Sequence, residues 1–213
     1  MIELVLFDLD GVLVDSEPIS TRVLMAMLAE VGLPMDEVQA EQRFLGRSRG
    51  ESVAFIEQQL GRPVPPDFVV RWQEQVFTAL RQELKPVPGI AAALDQLTVP
   101  YCVASGSDPA RIQLSLDLAG LLPRFAGRIF SAAQVAHGKP APDLFLFAAR
   151  SLGAAPARCV VVEDSLPGVQ AGVASGMPVL AYAARNPAAL LAAAGATPFD
   201  DMARLPGLIE HLS

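Results

Sequence analysis

Cysteine is scarce in this chain of 213 residues: Cys102 and Cys159 are the only two, each inside a short apolar run that reads as a buried strand. A disulfide framework is thereby excluded, and both thiols are expected to serve as small apolar core residues. Long hydrophobic runs are missing too. No apolar segment reaches the roughly 18 to 20 residues of a membrane span, and the alanine-rich stretch 188–196 falls well short. Positive charge is in deficit, 16 Lys and Arg against 23 Asp and Glu, for a net charge of -7. That balance argues against nucleic acid as a partner, since such proteins present a basic face. An anionic small substrate remains compatible, because a metal ion and a few local cations reverse the field inside one cleft. No basic segment precedes the first apolar run, and that run holds acids within its first eight residues, so it is not a signal peptide. The chain is expected to be soluble and cytoplasmic. Internal repeats and low-complexity segments are absent as well, the alanine enrichment being a helix preference.

What the chain has in quantity is apolar residues, 52% of the total. That is enough for a substantial core in one domain, or one domain carrying a smaller insert. Residues 2–7 are almost wholly apolar, partly β-branched and too short for a buried helix. They read as a central strand covered on both faces. Residues 18–32, 36–44, 49–60 and 66–84 read as helices, and no strand pattern occurs between Asp15 and Lys85. Beyond Lys85-Pro86-Val87-Pro88-Gly89 the texture changes. Strand patterns at 101–104, 128–130, 159–162 and 179–182 alternate with helical ones at 89–97, 109–119, 142–152, 166–175, 187–194 and 201–212. This alternation predicts βαβ units, a parallel sheet and helices on both faces. The expected architecture is an α/β core of residues 1–14 and 86–213 with a helical insert, 15–85, placed as a lid over the carboxyl edge of the sheet.

Asp8 and Asp10 follow the first strand at once, in Phe7-Asp8-Leu9-Asp10-Gly11. In open α/β sheets the carboxyl edge of the strands is where ligands bind, and the turning backbone lets both acids face one crevice. Two uncompensated carboxylates beside a buried strand are costly unless a cation sits between them. A hard divalent ion such as Mg2+ answers that need, taking oxygen ligands and keeping waters free for a phosphate. Asp and Gly would equally serve as plain turn residues. Three later stretches add to the case. In Ser105-Gly106-Ser107 a hydroxyl and free backbone N–H groups, above all at Gly106, suit a phosphate oxygen; a plain loop with Asp108 as helix cap reads the same way. In His137-Gly138-Lys139-Pro140-Ala141-Pro142-Asp143, Lys139 would neutralise a transferring phosphoryl group and hold a nucleophilic carboxylate in place. His137 has no evident partner and reads as a loop or supporting histidine, and His211 as structural or exposed. Glu163-Asp164-Ser165 ends a second apolar strand in acids, so Asp164, with Glu163 acting through water, would complete the oxygen shell begun by Asp8 and Asp10. Together these groups supply a nucleophile, a metal site and phosphate neutralisation, which points to phosphoryl transfer.

With Asp8-Leu9-Asp10-Gly11-Val12-Leu13-Val14-Asp15-Ser16-Glu17, Gly138-Lys139-Pro140-Ala141-Pro142-Asp143 and Glu163-Asp164-Ser165 in that order, the sequence closely resembles the haloacid dehalogenase superfamily. The likeness is to the helical-cap branch that contains β-phosphoglucomutase and small sugar-phosphate phosphatases. It implies a Rossmann-like core with a mobile cap. It further implies Asp8 as a nucleophile forming an aspartyl-phosphate, and Asp10 as general acid and then base that also binds Mg2+ through its backbone carbonyl. Ser105 and Lys139 would hold the phosphoryl oxygens, and Asp164 the metal, with Glu163 in support. Leu45-Gly46-Arg47-Ser48-Arg49 is similar to a substrate-contacting segment of the branch. Arg49 there corresponds to an arginine that grips the non-reacting part of the substrate, and its guanidinium suits a phosphate or carboxylate. Arg47 and Ser48 belong to the same segment, Ser107 matches a core serine on the same side, and substrate specificity is expected to lie in cap residues such as Arg47, Arg49 and Trp72. Two positions depart from the mutases, Ser20 in place of a histidine and Leu45 in place of a lysine.

The expected function is therefore a Mg2+-dependent phosphatase acting on a small phosphorylated sugar or sugar acid, with no nucleic acid or membrane partner. A monomer is expected, since a lid must move. Two other readings are a hexose-phosphate mutase, which the two departures weaken, and a phospho-accepting regulatory module. The helical insert and Asp10 speak against the module, because a signalling switch needs no acid for a leaving group.

Overall fold

Leu4–Phe7 form β1, buried along its whole length, as an unbroken apolar strand must be when both of its faces are covered. The structure, a computed structural model, describes residues 1–44 and 49–212, with only the backbone of Glu41. Five further strands join β1: β2 (Tyr101–Ser105), β3 (Ile129–Ser131), β4 (Cys159–Glu163), β5 (Val179–Tyr182) and β6 (Thr197–Phe199). All pair in parallel, in the order β3-β2-β1-β4-β5-β6. The fold is the α/β, Rossmann-like one that the alternation of patterns predicts. Phe7 stands beside Val103 on one side and Val162 on the other. The carboxyl ends of β1, β2 and β4 are thus level, which brings Asp8, Ser105, Glu163 and Asp164 to one edge of the sheet.

The chain divides into two compact units, Met1–Asp15 with Lys85–Ser213, and Ser16–Leu84. The second unit is helical among its described residues: α1 (Glu17–Glu30), α2 (Glu37–Phe44), α3 (Arg49–Leu60) and α4 (Phe68–Glu83). Met27, Leu28, Ile56, Phe68 and Leu80 are its largest fully buried side chains among the described residues. Arg71 pairs with Glu30 at 2.9 Å and Arg22 with Glu83 at 2.6 Å, tying α1 to α4 at the surface, where such pairs add little stability. Trp72 packs on Phe68, ring centres 6.2 Å apart.

In the first unit the helices are α5 (Ile90–Gln96), α6 (Pro109–Leu118), α7 (Asp143–Ser151), α8 (Leu166–Ala174), α9 (Ala188–Ala193) and α10 (Leu205–His211). Side chains alternate across the sheet as a period of two requires. Leu4, Leu6, Cys102, Cys159 and Val161 share one cluster with Leu144, Phe145 and Val169 of α7 and α8. Phe7, on the opposite face, meets Tyr101 and Phe125 edge to face. Both cysteines are free and buried, and burial pushes the Cys102 thiol up to about 12, which makes it inert. Two expectations change. The single helix expected at 201–212 is divided into a 3-10 turn, Met202–Arg204, and α10, because Pro206 lacks an N–H and starts a new helix. β6 was not expected, since its middle residue is Pro198; a proline is tolerated there because the strand lies at the rim of the sheet.

The chain leaves and re-enters the first unit at adjoining points. Val14 forms an antiparallel bridge with Pro86. The N–H of Asp15 donates to the carbonyl of Lys85 at 3.0 Å, and that of Val87 to the carbonyl of Leu13 at 3.0 Å.

Candidate active site

Asp8 continues the β1 ladder by one bond, its N–H donating to the Val162 carbonyl at 2.9 Å, so its side chain emerges where the sheet ends. Lys139, reached through a cis peptide bond to Pro140, lies across that edge. Its Nζ donates to Oδ1 of Asp8 at 2.5 Å and to Oε1 of Glu163 at 2.7 Å. It also stands 4.9 Å from the centre of the Phe145 ring, a cation–π contact. Burial alone would lower the ammonium, but the carboxylates of Asp8 and Glu163 outweigh it and hold Lys139 above its ordinary value. Burial acts on Asp8 in the other direction, pushing its carboxyl up; Lys139 opposes that rise, Glu163 and Asp10 reinforce it, and the result is about 8.

Glu163 is fully buried and its carboxylate is occupied on both oxygens. Oε2 accepts from the N–H groups of Asp164 and Ser165, at 2.8 and 2.9 Å, and from the Ser165 hydroxyl at 3.0 Å. A Cβ on Gly168 would fall 1.7 Å from Oε1, so α8 has glycine there because this carboxylate fills the space. Glu163 thus holds Lys139 and the first turn of α8.

The carboxylates of Asp8, Glu163 and Asp164 each bring an oxygen within 4.8 Å of the others. One lysine cannot neutralise three buried acids, and the all-oxygen donor set suits a hard divalent cation. The residues therefore fit such an ion. Gly11, at φ +80°, has no room for a side chain, since a Cβ would meet Asp164 Oδ2 at 2.1 Å. Asn186 Nδ2 donates to the Asp164 carbonyl at 2.9 Å and helps to fix the loop. A cleft of ≈ 230 Å3 opens beside Asp164, lined by Gly11, Asp15, Pro88, Tyr182 and Arg185, with Arg185 paired to Asp15 at 2.8 Å.

Asp10 is turned otherwise. Its carboxylate is not part of the three-acid group; Oδ2 accepts from the Ser107 hydroxyl and Oδ1 from Arg111, both at 2.8 Å. Ser105 is buried, its Oγ accepting from the Ser107 N–H at 3.0 Å. Gly106 is exposed, and a Cβ there would meet no protein atom, so packing does not require glycine at that position. Arg49, in the helical unit, donates to Gln73 at 3.3 Å. Arg47 and Ser48 lie outside the described residues. His137 needs correcting: it has a partner, Asp143, six residues on, with Nδ1 and Oδ1 3.0 Å apart on the solvent side of the loop. Arg111 and Asn186 are contacts that sequence reasoning missed. The available signal for Arg111 was a charged residue in the first turn of a helix that begins at the ligand-binding edge.

The model of the haloacid dehalogenase-like hydrolases matches residues 2–176. The 6-phosphogluconate phosphatase of Escherichia coli K12 is 30% identical over 208 residues, covering 97% of this chain and 94% of that protein. The fructose-1-phosphate phosphatase of the same organism is 32% identical over 174 residues, covering 81% and 92%. Among solved structures, a haloacid dehalogenase family hydrolase from Deinococcus radiodurans R1, crystallised with bound phosphate and sodium, superposes with a TM-score of 0.81 at 35% identity, covering 99% of this chain and 96% of that one. With a family model across most of its length and phosphatases for relatives, the chain is a phosphatase enzyme and belongs to the haloacid dehalogenase-like hydrolase family.

Proposed function

We propose that the enzyme hydrolyses a small phosphorylated sugar or sugar acid in two displacements through a phosphoryl group carried on Asp8. The observation that carries this reading is the buried lysine shared by Asp8 and Glu163, which fixes one carboxylate in a buried, acid-rich edge of the sheet. The relatives named for 6-phosphogluconate and fructose 1-phosphate support the substrate class. In the first displacement an Asp8 oxygen bonds to phosphorus, the bond from phosphorus to the sugar oxygen breaks, and Asp10 gives a proton to the departing alkoxide. In the second, water attacks phosphorus while Asp10 takes its proton, and inorganic phosphate leaves Asp8. Lys139, the Ser105 hydroxyl and the backbone N–H groups after β2 offset the charge on the phosphoryl oxygens. Asp8, Asp164 and the Asp10 backbone carbonyl would hold Mg2+, whose charge offsets that of the transferring group. Glu163, its oxygens engaged by Lys139 and by the N–H groups of Asp164 and Ser165, positions Lys139 and would support the ion through water.

Ser20 and Leu45 favour hydrolysis over the mutase reaction, in which the phosphorylated aspartate must be shielded from water and a bisphosphate held at both ends. Replacing Asp8 by Asn should abolish phosphate release from every substrate found in a screen of phosphorylated sugars and sugar acids with Mg2+. Surviving turnover would mean that another group attacks phosphorus. Formation of a 6-phosphate from a sugar 1-phosphate, in place of free phosphate, would mark a mutase instead.

A further inference from the structure

Arg111 lies in the first turn of α6, the helix that starts just beyond β2, and its side chain is only 17% exposed. It donates to Oδ1 of Asp10, while the Ser107 hydroxyl donates to Oδ2. The two partners differ in kind. A guanidinium has donors only, so it can hold an anionic oxygen and never receive a proton from it; a hydroxyl can turn and accept. Ser107 is itself fixed at two backbone points, the second through a residue that is held in turn. Its N–H donates to Ser105 Oγ at 3.0 Å, its carbonyl accepts from the buried Ser131 hydroxyl at 2.7 Å, and Ser131 Oγ accepts from the Ala133 N–H at 3.2 Å. The orientation of the Asp10 carboxylate is thus set from two elements, α6 through Oδ1 and the β2 and β3 loops through Oδ2.

We propose that Arg111 is a positioning residue for the leaving-group step: by holding Oδ1 it leaves Oδ2, the oxygen beside the Ser107 hydroxyl, as the one that passes a proton to the departing alkoxide and recovers a proton from the attacking water. The inference rests on the role given to Asp10 above. When the bond from phosphorus to the sugar oxygen breaks, the proton leaves Oδ2 for the alkoxide, and Asp10 returns to the doubly held anion; when water adds to phosphorus, its proton goes back to Oδ2. Without Arg111 the hold on Oδ1 from α6 is lost while the Ser107 hydroxyl still donates to Oδ2, so the carboxylate is less firmly oriented and the proton less well aimed at the leaving oxygen.

The test compares two leaving groups in single turnovers of the Mg2+-loaded enzyme. Glycerol 2-phosphate releases an alkoxide that needs a proton, whereas p-nitrophenyl phosphate releases a stable anion that does not. In Arg111→Ala the rate of glycerol release should fall about 100-fold, the scale of a misplaced catalytic group. The burst of p-nitrophenolate and the KM for both compounds should stay near the parent values. Arg111→Lys, which keeps a donor toward Oδ1, should recover part of the lost rate. Equal losses on both compounds, a raised KM in place of a lowered rate, or no loss on either would overturn the proposal. Asp10→Asn separates the two levels of the argument. If it keeps glycerol release, the reading of Asp10 itself fails; if it shows the leaving-group contrast and Arg111→Ala does not, only the role of Arg111 fails.

Discussion

Burial lifts the Asp8 carboxyl to about 8 against the pull of Lys139, with Glu163 and Asp10 adding to the lift. The native protein then keeps a proton that the unfolded chain has released above its ordinary value of 3.8. Stability from this group is complete below that value and is lost as pH rises toward about 8. A divalent cation shared by Asp8 and Asp164, as proposed above, would favour the ionised carboxylate and oppose the loss. Mg2+ should therefore raise Tm more at about pH 8 than at about pH 5, and EDTA should remove the increment. Calorimetric scans at the two pH values measure it, and an increment that does not grow with pH would count against the assignment. At this scale the sequence makes some residues legible and hides others. Asp8, Asp10, Lys139 and Asp164 stand out because each ends or follows an apolar strand, and strand ends of a parallel sheet converge. Arg111 and Asn186 carry no such signature. A helix residue and a loop residue reach the site only through the placement of whole elements, which local pattern does not specify. Glu163 stood out for a different use, since its sequence neighbourhood does not say that Gly168 and two backbone N–H groups will enclose its carboxylate.

Between β4 and α8 a strand becomes a helix within two residues; Ser165 caps the helix, its Oγ accepting from the Gly168 N–H at 3.2 Å, and the buried Glu163 carboxylate accepts from the N–H groups of Asp164 and Ser165 in the turn before it. Gly168→Ala should break this turn. The new methyl would overlap a carboxylate that cannot swing away, because Lys139, two N–H groups and a hydroxyl hold it. Overpacking of this kind costs about 1 to 3 kcal/mol, read as a lower urea midpoint with unchanged slope, and the displaced Lys139 should lower kcat as well. A variant with the parent midpoint and kcat would show that the carboxylate has another resting place. Elements were legible where their period was strong. Residues 49–60 and 179–182, read from pattern, coincide with α3 and β5, whereas the 3-10 turns Leu122–Phe125 and Pro156–Arg158 are too short to show a period.

For the molecule as a whole, the bridge between Val14 and Pro86 means that the two cut ends of the core unit already lie side by side. Replacing residues 16–84 by an Asn-Gly turn should close an antiparallel hairpin there, the geometry that two-residue loops favour. The shortened chain should keep the far-UV spectrum of a parallel α/β protein and unfold in one cooperative transition. A molten product would show that the helical unit is needed for the core to fold. The sheet order has one more consequence, for synthesis. Of the six strands β1 is made first, yet its two neighbours are β2 and β4, so at about 5 to 20 residues per second it waits through roughly 100 further residues before β2 exists to pair with it. The nascent chain thus carries an unpaired apolar ribbon for several seconds, and whatever shelters that ribbon governs the yield of active enzyme.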